Sequence, residues 1–149
     1  MPSPSEEALK SLNSDDSNLI QEGLALTVRV FERTISGDLN SEVTEPATTD
    51  ELAALRGRLI TITRSGAPAA VLAGSVFALG KLYDPGLRSF FVDRVRADLH
   101  GDANVLYQAM IALNNLEVDV FAGRDSMSCL DVEENRGLAA AFLQEHARS

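Results

Sequence analysis

An all-α fold of six or seven helices is what this sequence predicts, on three observations. Apolar residues recur at three- and four-residue spacings along most of the chain. Strand-favouring aromatics are scarce, with six Phe, two Tyr and no Trp. Residues that cap helices stand just ahead of the periodic runs. The 149 residues, 45% apolar and 23% charged, suit a single domain over 1–149 with one continuous core.

Residues 1–4 are expected to be disordered. Ser5 then caps a short helix, "SEEALKSL", with Glu6 and Glu7 in its first turn. "NSDDSN" interrupts it, because each of its residue types competes for backbone hydrogen bonds. The second helix, "SNLIQEGLALTVRVFERTI", has one stripe of Ile20, Leu24, Val28, Phe31 and Ile35. Leu19, Leu26 and Val30 give it a second apolar edge, so neighbours on both sides are expected. Residues 36–48, polar and holding Gly37 and Pro46, form the longest loop.

A Thr48-x-x-Glu51 capping pattern opens the third helix, whose stripe is Leu52, Leu55, Leu59 and Ile62. Within it "LITIT" alone alternates like a strand, but the stripe continuing from Leu52 favours a helix. The fourth helix, "APAAVLAGSVFALGKLY", tolerates Pro68 in its first turn. In the fifth, Asp84 is the cap, Pro85 the first helical residue, and His100–Gly101 the end. Its inward residues are Leu87, Phe90 or Phe91, Val95 and Leu99. Asp102 caps the sixth, "DANVLYQAMIALNNLE"; residues 118–130 are irregular; a last helix runs from Asp131 to His146 with Leu138 and Phe142 inward.

"AGSVFALGKL", Ala73 to Leu82, is echoed 34 residues on by "YQAMIALNNL", Tyr107 to Leu116. Val71/Val105, Val76/Met110, Phe77/Ile111, Ala78/Ala112, Leu79/Leu113 and Leu82/Leu116 pair up. Gly74 and Ala78 are expected to admit a neighbouring helix, with Phe77, Leu79 and Leu82 filling the layer. Recurrence at a fixed interval marks stacked supersecondary units. Together with "VLAGSVFALGKLYDPGLRSFFVDRV" and "NSDDSNLIQEGLALTVRV", the echo resembles the HEAT-like (armadillo-type) helical repeat family, over residues 9–35 and 68–117. The resemblance implies a short right-handed α-solenoid of stacked antiparallel helix pairs. Glu117-Val118 departs from the Asp-Pro turn after the first copy, so regular stacking is expected to stop there. The interval also suits tetratricopeptide repeats, but their aromatic and glycine positions are missing. An irregular helical bundle is the alternative.

Net charge is −9, which argues against a general nucleic-acid binder. Residues 1–55 carry three basic and eleven acidic side chains, 56–100 seven and three, and 101–149 three and eight. Arg56, Arg58 and Arg64 fall on the third helix and Arg88, Arg94 and Arg96 on the fifth. In a two-layer stack these helices share a layer, making a candidate Arg-rich ridge for carboxylates or phosphates. Pairing with Asp84, Asp93, Asp98 and the acidic flanks is the competing role.

Little else points to chemistry. Cys129 is the only cysteine, so an internal disulfide or a Cys-based zinc site is excluded. Its neighbours Asp125, Asp131, Glu133 and Glu134 are the reverse of the electropositive surroundings a nucleophilic thiolate needs. His100 suits a helix end and His146 the solvent. Asp38, Asn40 and Glu42 begin like a calcium loop, but Val43 and Thr49 stand where Gly and Glu are required. No catalytic, cofactor or metal residue is assigned. The absence of a basic-then-apolar leader or a long apolar run leads us to expect a cytoplasmic protein outside the membrane. The leading expectation is a non-enzymatic module binding another protein, a basic one, with an inhibitor or immunity-type protein as its concrete version. The alternatives are nucleic-acid or anionic-ligand binding through the Arg ridge, or a lyase-like relative of the HEAT-like phycobilin-attachment enzymes.

Overall fold

The computed structural model describes residues 2–39, 42–125 and 127–148, with side chains to His146. Seven α-helices and no strand are found among them: α1 (Pro4–Leu12), α2 (Ser17–Thr34), α3 (Thr49–Thr63), α4 (Ala69–Gly80), α5 (Arg88–Asp98), α6 (Ala103–Asn115) and α7 (Val132–Arg148). A 3₁₀ turn, Pro85–Leu87, leads into α5. The chain divides into two compact units, residues 1–82 and 83–149.

In the first unit α1 packs on α2 and α3 on α4, while α1 lies against α3 and α2 against α4. This is two helix pairs in two layers. Ala8, Leu12, Leu24, Val30, Phe31, Leu55, Leu59, Val71, Val76 and Leu79 form its buried core. Two glycines set the spacing. A Cβ on Gly23 would stand 3.0 Å from the Leu12 nitrogen and 3.2 Å from the Ala8 oxygen, so α1 and α2 nearly touch at their backbones. A Cβ on Gly74 would meet the Leu24 Cδ1 at 2.9 Å, so α4 admits a side chain of α2 there.

Several details differ from the sequence expectation. Ser3 caps α1, its hydroxyl accepting from the Glu6 amide at 3.1 Å, and Pro4 is the first helical residue. Residues 2–4 are therefore part of the structure, and Ser5 is a buried helical residue. The inward face of α2 is Gly23, Leu24, Thr27, Val30 and Phe31. Ile35 is exposed, because the apolar set of this helix spans two faces and only one meets the core. Phe77 does not fill the layer: it is 38% exposed on the outer side of α4.

In the second unit α5 packs on α6, and α7 lies against both. Asp84 caps the 3₁₀ turn by accepting from the Gly86 amide at 2.8 Å, and Asp102 caps α6 through Asn104 and Val105. Leu87, Phe91, Val92, Val95, Leu106, Met110 and Leu113 are buried. Of the two candidate aromatics, Phe91 is therefore the core one; Phe90 meets it edge-on at 5.5 Å. Among the described side chains of α7, Asn135 and Ala139 are buried, with Leu138 and Phe142 only half-buried. Asn135 turns inward because its amide donates to the Ser128 carbonyl at 2.9 Å, anchoring the irregular stretch before the helix.

Candidate functional site

The six arginines are mostly committed to their own units. Arg58 on α3 donates from Nε to the Leu12 carbonyl at 3.2 Å, satisfying an orphan carbonyl at the end of α1. Arg136 on α7 repeats that role, donating to the carbonyls of Leu99 at 3.2 Å and Gly101 at 3.0 Å just past α5. Arg94 places Nε 3.1 Å and Nη2 2.7 Å from Asp98 Oδ2, with side chains only 18% and 13% exposed. Arg96 pairs with Asp93 at 3.0 Å on the surface. Arg56 is half-buried, and Arg64 and Arg88 are exposed. Among the described residues Arg64 and Arg88 make no ion pair and no side-chain hydrogen bond. Arg56, Arg58 and Arg64 belong to the first unit, and Arg88, Arg94 and Arg96 to the second.

Two surface hollows of the first unit use α2. One lies between α1 and α2, about 660 Å³, with Leu19 and Leu26 as apolar floor and Glu7, Lys10, Glu22 and Arg29 at its sides. Leu19 is 43% exposed. From the start of α1 to Leu24 the chain carries Glu6, Glu7, Asp15, Asp16 and Glu22 against Lys10 alone. Arg29 is drawn toward Glu42, 3.9 Å away. This is the acidic, partly apolar face of the unit. The other hollow, between α2 and α4, is about 380 Å³ and mainly apolar, with Leu24, Val28 and Phe77.

Of the acidic loop stretch Asp38 and Glu42 are described, while Asn40 lies outside the described residues. Among the described residues no three His, Cys, Asp or Glu side chains converge to hold a metal ion. No helix there is long and apolar enough to cross a membrane.

In the second unit a polar hollow of about 320 Å³ lies between Ile111 and Asn114 of α6 and the following segment, which contributes Asp119, Phe121, Arg124 and Met127. Tyr107 ties that segment down, its hydroxyl donating to the Met127 carbonyl at 2.9 Å and its ring 6.1 Å from that of Phe121. Partial burial, and then negative charge at Cys129 and Asp131, push the Tyr107 phenol above its ordinary value. Cys129 is half-buried, and His100 is exposed one residue beyond the cap of α5.

A carboxylate that sequence reasoning treated only as half of a capping box does more. Glu51 accepts from the Thr48 amide at 3.0 Å, and the Ser3 hydroxyl donates to it at 2.6 Å. The Ser3 hydrogen bond, then that of Thr48, holds the Glu51 carboxyl below its ordinary value. The signal was present in both caps; their meeting requires α1 to lie beside α3, which spacing alone does not give. Comparison of the chain with protein-family models, with curated proteins and with solved structures gives no match.

Proposed function

We propose that this chain is a non-enzymatic module of stacked helix pairs, of the HEAT-like (armadillo-type) kind, that binds a basic protein. One observation carries the repeat relation. The 34-residue echo extends from side chains to backbone: Tyr83 and Glu117, that far apart, both take left-handed conformations, φ 48° and 63°. Just before them the Leu82 amide donates to Leu79 at 3.2 Å, and the Leu116 amide to Leu113 at 2.9 Å. Neither residue is glycine, so each is strained; of the three non-glycine residues with positive φ among the described residues these two share the register and Ala122 does not, which supports repetition. The pairing of α1 with α2, α3 with α4 and α5 with α6 fits the same unit. So does the matching use of Arg58 and Arg136.

The step from repeat to binding rests on what such surfaces are commonly used for. The sign of the partner follows from charge. The acidic face around Glu7 and Glu22 attracts a basic protein and speeds its encounter. An inhibitor or immunity-type protein that neutralises a basic effector is the concrete form of this reading. No observation favours the Arg ridge over it, since Arg58, Arg94 and Arg96 already engage their own chain. The test is capture from native lysate on the immobilised protein. A stoichiometric basic protein, released as salt is raised, is the expected result. Recovery of no stoichiometric protein partner contradicts the proposal.

A further inference from the structure

The polar hollow of the second unit carries a charge that its own arginine does not neutralise. Its apolar wall is Ile111 of α6 with Phe121 and Met127 of the segment that follows. Asp119 and Asp125 add two carboxylates, and Arg124 is the one cation among the described lining residues. That cation is already engaged: Arg124 Nη1 lies 2.6 Å from Glu134 Oε2 in the first turn of α7. Asp125 is exposed and makes no hydrogen bond or ion pair among the described residues. Asp119 Oδ1 accepts from the Gly123 amide at 2.8 Å, a neutral donor that leaves the carboxylate charge in place. Counting Glu134 with the lining, three carboxylates stand against one guanidinium. The next base along the chain, Arg136, is held on the carbonyls of Leu99 and Gly101. The wider stretch has the same sign, since residues 117–134 carry six carboxylates and Arg124 alone.

We propose that this hollow seats the cationic side chain of a lysine or arginine of the basic partner, its stem against Ile111 and Met127 and its charge by the carboxylates of Asp119 and Asp125. Such a side chain is an apolar stem with a charged head, which is the pairing of surfaces the hollow offers. Its volume, about 320 Å³, is at the lower end for ligand hollows and suits one side chain better than a length of chain. The wall is fixed before anything binds. The Tyr107 hydroxyl holds the Met127 carbonyl at 2.9 Å, and Phe121 is buried. Little ordering of the site is then left to the binding step. The identity of the partner as a basic protein rests on the proposed function. The preference of the hollow for a cation rests on Asp119 and Asp125, and is measured without the partner.

The test uses the full chain, ¹⁵N-labelled, titrated with N-acetyl-lysine methylamide, N-acetyl-arginine methylamide and N-acetyl-norleucine methylamide. The last keeps the stem and lacks the charge. The expected result is saturable shifts at the amides of Ile111, Gly123, Arg124 and Met127 with a cationic probe. The norleucine probe should bind about fivefold more weakly, and Asp119→Asn with Asp125→Asn should weaken the cationic probes by about the same factor. Asparagine keeps an oxygen for the Gly123 amide. Arg124→Gln removes the competing cation and should tighten cation binding about threefold, a gain that damage to the fold does not produce. The proposal is overturned if no cationic probe shifts those amides, if norleucine binds equally well, or if the double variant keeps full affinity. Weaker cation binding by Arg124→Gln would overturn it as well, by assigning the hollow to an anion. Should the double variant fail to fold, Asp125→Asn alone, at an exposed side chain, decides the charge dependence. A titration that succeeds while lysate capture yields no basic protein sinks the proposed function and leaves the cation site standing. The converse result sinks the cation site alone.

Discussion

Glu51 serves two helix starts at once: it closes the capping box of α3 and receives the hydroxyl that caps α1. Its folded pKa lies below the ordinary value of 4.5. The carboxylate therefore contributes stability above that pH and loses it as pH falls through the folded value. Urea unfolding of Glu51→Gln should show a deficit at pH 7 that narrows by pH 3. Ser3→Ala, which removes both hydrogen bonds of that hydroxyl, should cost about 1 kcal/mol at pH 7. Arg94 and Arg64 make a second contrast. Arg94→Ala leaves the Asp98 carboxylate nearly buried without its partner, and should cost roughly 1–3 kcal/mol. Arg64→Ala, at an exposed and unpaired site, should stay within about 0.5 kcal/mol of the original by the same unfolding measurement.

At the scale of elements, two helical glycines look alike in sequence and differ in consequence. Gly23→Ala drives a methyl against the backbone of α1 and should destabilise by about 1–3 kcal/mol. Gly74→Ala meets only the tip of Leu24, a side chain able to turn aside, and the better helix propensity of Ala offsets the crowding. Its melting point should change little. Left-handed Glu117 gives the opposite sign: Glu117→Gly relieves a strained turn and should stabilise by roughly 0.5–1 kcal/mol in denaturant unfolding. Helix number and most starts were legible in the chain, since Thr48, Asp84 and Asp102 each announce a cap by residue type and position. The buried faces were less so. α2 is apolar on two sides, and only the position of α1 and α4 decides that Thr27 and Gly23 face inward while Ile35 does not. Phe77 misled for the same reason: on a nearly all-apolar helix, periodicity does not say which large residue is left outside. The arginines were legible as a charge cluster but not as caps, because the carbonyls of Leu12 and Leu99 come from distant parts of the chain.

For the molecule as a whole, charge is divided along the chain more sharply than the total of −9 conveys. The acids of the first helix pair cluster where few bases answer them, beside the half-exposed Leu19. A face combining apolar floor and carboxylates suits a basic protein surface with a projecting aliphatic side chain. Binding of a basic protein through this acidic face is the reading proposed above. It is tested most directly by parallel capture from native lysate on the original protein and on a Glu7→Lys, Glu22→Lys double variant that retains its melting point. Binding through the acidic face should leave a stoichiometric basic protein on the original, eluted by salt and missing from the variant. Equal recovery on both, or an acidic partner on the original, would contradict it.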